Sequence, residues 1–251
     1  MFTRVKTPTE LRSIRDSGRM LATVLKLLSS NISTGMNTKY LANIAAQELK
    51  RLGGEPAFLG YQGFPDVICI SVNNEIVHGI PSEDRIINEG DIVSLDFGVT
   101  YRGMITDSAI SVIVGKAISP KHTALLVNTE RSLMAGISVV RDGVKTGDIG
   151  EAIETELNRN KYGIVRDLVG HGVGDHVHED PNIPNYGRRN TGPVLLKGMT
   201  IAIEPMATLG KDRVYVGPDG WTVLTWDGSW AAHFEHTIAI TEEGAEILTR
   251  L

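Results

Sequence analysis

The stretch Asp91-Ile92-Val93-Ser94-Leu95-Asp96-Phe97-Gly98, continuing through Tyr101-Arg102-Gly103 to Asp107-Ser108, constrains the fold more than any other. Two runs rich in Val, Ile and Leu flank a short polar turn ending in Gly103, the pattern of a β-hairpin. Residues directly opposite one another in a hairpin share a face. Asp96 and Asp107 are symmetric about a point between Tyr101 and Arg102, so a tight turn there makes them cross-strand neighbours. A bulge at Gly103 would shift that register by one residue. An arbitrary Asp pair more often lies at exposed strand ends. Two carboxylates facing each other among apolar strands instead repel, and resist ionising unless a cation sits between them. Hard oxygen donors on a rigid hairpin are what a metal site requires.

A chain of 251 residues makes one large domain or two small ones. Its 41% hydrophobic and 22% charged residues are ordinary for a soluble enzyme. One cysteine, Cys69, excludes an intramolecular disulfide framework and suits a reducing compartment. A net charge of −5 without a basic run gives no sign of nucleic-acid binding. The segment from Met1 to Lys6 lacks the apolar core of a signal peptide, and no apolar run reaches membrane-spanning length. The expected location is the cytoplasm, with no membrane partner.

Thr7-Pro8-Thr9-Glu10 predicts a capped helix start, followed by Leu11, Ile14, Gly18, Leu21, Leu25 and Leu28 on one face. Thr38 opens a second helix, stopped by Gly53-Gly54. Strands are expected near Val67–Val72, Asp91–Val99 and Ile105–Val114. After Ser119-Pro120 the order restarts: helices to about Val140 and over Asp148–Asn160, then strands near Thr200–Ala207, Asp212–Val216, Thr222–Thr225 and His233–Ile240. Helix, helix, strands, twice over, predicts an α+β fold with a pseudo-twofold, antiparallel-rich sheet covered by helices. No flexible linker divides it. The expectation is a single catalytic domain over residues 1–251, built of two related halves, roughly 1–118 and 119–251.

Gly170-His171-Gly172-Val173-Gly174 and His176-Val177-His178-Glu179-Asp180-Pro181 place three histidines in a glycine-punctuated stretch, read as a loop. Neutral imidazoles bind divalent metals well. A lone loop His is usually a surface residue, but this density singles out His171 and His178, with His176 a bystander. Glu204, at the end of the apolar run Ile201-Ala202-Ile203, and Glu235, on the last expected strand, add two acids. Each alone reads as a strand-edge acid; acids at four strand positions plus a loop His form a recurrent pattern.

The segments Asn73-Asn74-Glu75-Ile76-Val77-His78-Gly79-Ile80-Pro81, Gly170-His171-Gly172-Val173-Gly174, His178-Glu179-Asp180-Pro181, Pro184-Asn185-Tyr186-Gly187, Gly192-Pro193-Val194-Leu195 and Ile203-Glu204-Pro205-Met206 resemble type I methionine aminopeptidase, of the pita-bread dinuclear metallopeptidase family. The resemblance covers nearly the whole chain. It implies a pita-bread fold and two divalent ions of cobalt, manganese, iron or zinc. By the same resemblance Asp96 would chelate one ion, His171 and Glu204 the other, with Asp107 and Glu235 bridging both. His78 and His178 would contact substrate, and Glu204 would carry a proton to the leaving amine. Phe58, Tyr61, Phe64, Cys69, Val177 and Trp221 would line the methionine pocket; Phe58, Phe64 and Val177 depart from the family's more familiar residues there. No covalent intermediate is implied, so Cys69 is no nucleophile.

The implied activity is removal of the initiator methionine from nascent chains whose second residue is small. The partners are then the N-terminal peptides of nascent chains, and a transient ribosome contact is compatible with that role. Two alternatives carry weight. Leu95-Asp96-Phe97-Gly98 also suits an Xaa-Pro aminopeptidase or prolidase-like enzyme of the same fold, and a catalytically inactive pita-bread module would bind proteins only.

Overall fold

Thr7 opens the first helix as its sequence dictates. Its hydroxyl accepts the Glu10 N–H at 3.3 Å while the Glu10 carboxylate accepts the Thr7 N–H at 2.7 Å, satisfying two donors the helix itself leaves free. This computed structural model describes residues 2–251; Met1, which heads the segment read above as no signal peptide, lies outside the described residues. Helix α1 (Pro8–Asn31) buries Ile14, Leu21, Leu25 and Leu28, with Leu11 half-buried at its start. Helix α2 (Thr38–Leu52) begins at the expected residue, but Asn37 caps it, its Oδ1 accepting the Tyr40 N–H at 2.7 Å. Gly53 stops it at a φ of +84°, a conformation that favours glycine.

Strands β1 (Glu55–Pro56), β2 (Cys69–Val72), β3 (Glu75–Val77), β4 (Ile92–Tyr101) and β5 (Met104–Ile113) follow. Helices α3 (Pro120–Ser138) and α4 (Thr146–Asn158) open the second series. Helix α4 starts before Asp148 because that carboxylate accepts the Lys145 N–H at 3.0 Å, which makes Asp148 the third helical residue. Then come β6 (Gly163–Ile164), β7 (Gly170–Gly172), β8 (Glu179–Ile183), β9 (Thr200–Ile203), β10 (Met206–Thr208), β11 (Val214–Val216), β12 (Val223–Thr225), β13 (Ala231–His233), β14 (His236–Ile240) and β15 (Ala245–Ile247).

Among the described residues the strand pairings are antiparallel and form four sheets. In the first, β4 pairs with β1, β2 and β5; the second runs β15-β14-β9-β7-β8. Smaller sheets run β13-β10-β6 and β11-β12-β3. Leucines 21, 28, 41 and 49 of α1 and α2 pack on Val93, Leu95, Phe97 and Val99, alternate residues of β4. Each such fully buried side chain stabilises the fold by about 1.5–3 kcal/mol. Helices α3 and α4 cover the second sheet in the same way, with Leu133, Ile149 and Ile153 against Ile201, Ile203 and Ile238. What remains of β4, its other face of Ser94, Asp96 and Gly98, turns away from the helices.

The hairpin exists, with a different register from the expected one. Tyr101 pairs with Met104 around a two-residue turn, Arg102 and Gly103, at φ +50° and +75°. Two consecutive positive φ values are what a type I′ turn needs. Asp107 therefore faces Gly98, and Asp96 faces Ala109. The shift is by two residues, not the one a bulge would give, so the carboxylates are diagonal neighbours on the same face.

Candidate metal centre

The seam between the two larger sheets closes over Asp96 and Asp107. Thr237 Oγ1 accepts the Asp107 N–H at 2.9 Å and donates to the Asp107 carbonyl at 2.7 Å. Ser108 donates to the Glu235 carbonyl at 2.5 Å, and the Glu235 N–H donates to the Ala109 carbonyl at 2.9 Å. The backbone at Glu235 thus bonds β5 rather than its own ladder. On the facing segment Pro205, opposite Phe234, has no N–H to offer. These two causes split the strands expected over Thr200–Ala207 and His233–Ile240. Register is unchanged through the break, since Ile203 faces His236 and Met206 faces His233. Glu204 and Glu235 consequently stand opposite one another in the gap. Glu204 follows the end of β9 as expected, whereas Glu235 lies between two strands and not on one.

The glycine-punctuated stretch read as a loop is in part strand. His171 is the middle residue of β7 and pairs with Ala202; His178 directly precedes β8. The His171 Nδ1 lies 2.9 Å from the Gly172 carbonyl, so Nδ1 carries the proton and donates it there. Its Nε2 is left as a bare lone pair 3.9 Å from Asp107 Oδ2 and 3.5 Å from Glu204 Oε1. These contacts are not ion pairs, because burial, and after it the neighbouring His178, pushes the His171 pKa down to about 3. Asp107, His171 and Glu235 each bring one ligand atom to within 4.8 Å of the others.

The acids are in a state that water would not allow. Burial pushes the Asp96 carboxyl up to about 7. It also lifts Asp107, Glu204 and Glu235 well above the carboxylate range, with neighbouring carboxylate charges adding to the rise. The charge of Asp96 raises Asp107 further, so the two neighbouring carboxyls resist ionising together. Asp96 Oδ1, Asp107 Oδ1 and Glu235 Oε1 are buried without a partner among the described residues. Four acids short of positive charge and one imidazole offering a lone pair are the donor chemistry of a divalent cation. The residues fit such an ion.

The site opens into a cavity of about 130 Å³. Its walls bring together Asp96, Asp107, His171, Glu204 and Glu235 with His78, His178, Phe58, Tyr61, Phe64, Cys69 and Trp221. Val177 packs with Phe58, Phe64 and Cys69 but does not line the cavity. Phe64 meets Trp221 edge-on at 5.2 Å, and His78 meets the same indole at 6.4 Å. His78 sits at a φ of +60°, a conformation that costs a non-glycine residue on the order of 1 kcal/mol and gathers at functional sites. Burial lowers the His78 pKa to about 4 and lowers that of His178. Burial and then Asp96 raise the Cys69 thiol well above its ordinary value, so it stays an unreactive thiol beside the acids.

Sequence reasoning passed over Gln62 and Val77, which line the cavity, and His233, which lies 3.7 Å from Glu204 Oε2 and 3.9 Å from Glu235 Oε2. Residues two apart on a strand share a face, so the spacing from His233 to Glu235 was the available signal.

The fold and this site define a metallopeptidase. The chain belongs to metallopeptidase family M24, whose model matches residues 12–242. It is 47% identical to methionine aminopeptidase 1 of Bacillus subtilis over 246 residues, 98% of each chain. The crystal structure of methionine aminopeptidase from Thermotoga maritima matches it with a TM-score of 0.97 and 43% identity, covering the whole of both chains. The prolidase of Pyrococcus furiosus shares the pita-bread fold at a TM-score of 0.79 and 24% identity, and the chain spans 65% of it.

Proposed function

We propose that this protein is a methionine aminopeptidase that removes the initiator methionine from nascent chains whose second residue is small. The observation that carries the reading is one cavity with an apolar end and a carboxylate end. Phe58, Phe64, Cys69 and Trp221 form a wall suited to a thioether side chain, and the five metal-binding candidates stand beside it. Asp96 would hold one divalent ion, His171 and Glu204 a second, and Asp107 with Glu235 both. Four carboxylates would roughly balance two such charges. Bound there, the ions supply Lewis acidity for hydrolysis of the peptide bond. Manganese, iron, cobalt and zinc all suit oxygen and imidazole donors.

The chain's own groups do the rest. Glu204 is half-buried, carries a raised pKa and faces the cavity, which suits a carboxyl that takes a proton and passes it to the leaving amine. His178 would donate to the oxyanion that forms at the scissile carbonyl, and His78 would contact the amide nitrogen. We further read residues 1–251 as a single catalytic domain of two related halves, because the Asp96–Asp107 pair and the Glu204–Glu235 pair are each carried by facing antiparallel segments behind two helices. A cytoplasmic place, with nascent chains as partners, follows from the activity; among the described residues no helix is long and apolar enough to cross a membrane.

Hydrolysis of Met-Ala-Ser and Ala-Pro peptides, with chelator and with added metal, tests the reading. Metal-dependent release of methionine alone is expected. Cleavage of Ala-Pro in preference would favour the prolidase-like alternative, and no cleavage of either by metal-loaded protein would favour an inactive binding module.

A further inference from the structure

We propose that His233 is a positioning residue of this centre: its Nε2–H orients the Glu204 and Glu235 carboxylates, which the strand breaks leave without a ladder to hold them. The proposal rests on the reading of the site as one that holds divalent metal.

His233 is 1% exposed, and among the described residues neither ring nitrogen has a hydrogen-bond partner. A buried imidazole in that condition costs stability unless it serves something else. Its backbone is held firmly. The His233 N–H donates to Ser111 Oγ at 2.9 Å, and Ser111 Oγ donates back to the His233 carbonyl at 2.9 Å. Ser94 lies 2.7 Å from the same Ser111 oxygen and completes the bracket. The ring is therefore aimed by the first sheet at acids of the second.

The neighbours decide the tautomer. A neutral imidazole has one N–H. On Nδ1 that proton would be a buried donor with no acceptor. On Nε2 it faces Glu204 Oε2 at 3.7 Å and Glu235 Oε2 at 3.9 Å. Both distances exceed a hydrogen bond, so each bond forms only as its own carboxylate moves closer. His171 is the reverse case, its proton held by the Gly172 carbonyl and its Nε2 bare, 3.5 Å from the other Glu204 oxygen. Glu204 thus lies between an imidazole that offers a lone pair and one that offers a proton. The first suits a cation's ligand. The second suits the hydrogen bond that fixes a ligating carboxylate, an arrangement whose loss weakens metal binding by about 10- to 100-fold.

The test is calorimetric titration of the metal-free protein with cobalt(II), alongside thermal melts in chelator. His233→Leu should weaken cobalt binding by about tenfold or more. The same variant should melt higher without metal, because two unpaired buried nitrogens are gone. His233→Gln keeps an N–H at similar reach and should bind within about threefold of the unaltered protein. Should His233→Leu fail to fold, His233→Ala carries the same affinity expectation. Unchanged binding by the donorless variants overturns the proposal, as does equal loss in the Gln variant. A Leu variant weaker in both melting and binding would mark a merely structural residue, again against it. If the unaltered protein binds no cobalt, the reading of the site fails first and the role of His233 falls with it.

Discussion

The Tyr61 hydroxyl lies 2.9 Å from His178 Nδ1, and Gln62 Nε2 donates to that same hydroxyl at 3.2 Å. With its oxygen accepting from Gln62, Tyr61 has its own proton to give, and Nδ1 receives it. The His178 proton then sits on Nε2, the tautomer an oxyanion donor needs. Tyr61→Phe removes this bias while leaving the ring in place. A neutral hydrogen bond is worth about 0.5–1.5 kcal/mol, so turnover of Met-Ala-Ser should fall roughly 2- to 10-fold. Metal affinity should not change. Steady-state rates and a metal titration on the same preparation decide it, and unaltered turnover would detach Tyr61 from the chemistry.

His178 and His171 are neighbouring rings, 4.3 Å apart between centroids, with different expected roles. His178→Ala should depress turnover by roughly 10²- to 10³-fold, the usual loss for one oxyanion donor, and keep its metal. His171→Ala should lose metal as well, since the Nε2 lone pair goes with the ring. Equal metal loss in the two variants, measured by calorimetric titration, would show the assignment to be wrong.

Glu204→Gln keeps the size of a side chain that faces both Glu235 and His171, and removes its charge and its exchangeable carboxyl proton. Turnover by the metal-loaded variant should drop by on the order of 10²-fold or more. Near-normal turnover at full metal occupancy would remove Glu204 from proton transfer.

How far the chain could be read depends on the range over which each feature is decided. Helix starts are local: the Thr7–Glu10 box lies within one turn, and its sequence suffices. Hairpin register is nearly local: a tight turn centred between Tyr101 and Arg102 implies one register, and the observed turn at Arg102-Gly103, one position later, shifts it by two residues. The even shift kept Asp96 and Asp107 on one face, so the chemistry survived the mistake. The breaks at Glu204 and Glu235 are another matter. One needs Pro205, visible in the sequence, and the other needs the Glu235 N–H to find the Ala109 carbonyl of a distant strand. The spacing of His233 from Glu235 was legible, but its orphaned nitrogens are a fact of packing and were not.

Without metal, the buried acids should make the protein less stable as pH rises. Asp96 has a folded pKa of about 7 against an ordinary 3.8, so the folded state holds the extra proton between those values. Its stabilising contribution is complete below the unfolded value and is lost as pH passes the folded one. Asp107, Glu204 and Glu235 shift in the same direction. In chelator, the melting temperature should therefore be lower near pH 8 than near pH 5. Saturating divalent metal should reverse the trend, because protons no longer compete for the carboxylates at the higher pH. Asp96→Asn should flatten the chelator profile. A metal-free protein that grows more stable from pH 5 to pH 8, with Asp96→Asn behaving identically, would contradict the account.

Gly98 stands opposite Asp107, two residues along β4 from Asp96 and on the same face. A Cβ at this position would lie 2.5 Å and 2.8 Å from two carbons of the Phe58 ring and 3.1 Å from Ala57 Cβ. Phe58 lines the cavity, so the ring's escape from an alanine at position 98 is into the space proposed for methionine. Gly98→Ala should raise KM for Met-Ala-Ser, since overpacking a rigid wall costs about 1–3 kcal/mol, or roughly 5- to 150-fold. Cobalt affinity should stay near that of the unaltered protein, because the atoms nearest the new methyl belong to Phe58 and Ala57, not to Asp96 or Asp107. Shortening the obstructing ring should relieve the clash: Gly98→Ala with Phe58→Leu should recover much of the lost KM, a non-additive pair of the kind contacting residues give. The double-mutant cycle distinguishes this from a general weakening of the hairpin. If the two substitutions simply add, or if Gly98→Ala sheds metal as readily as it loses substrate, then the glycine serves the strand and not the pocket.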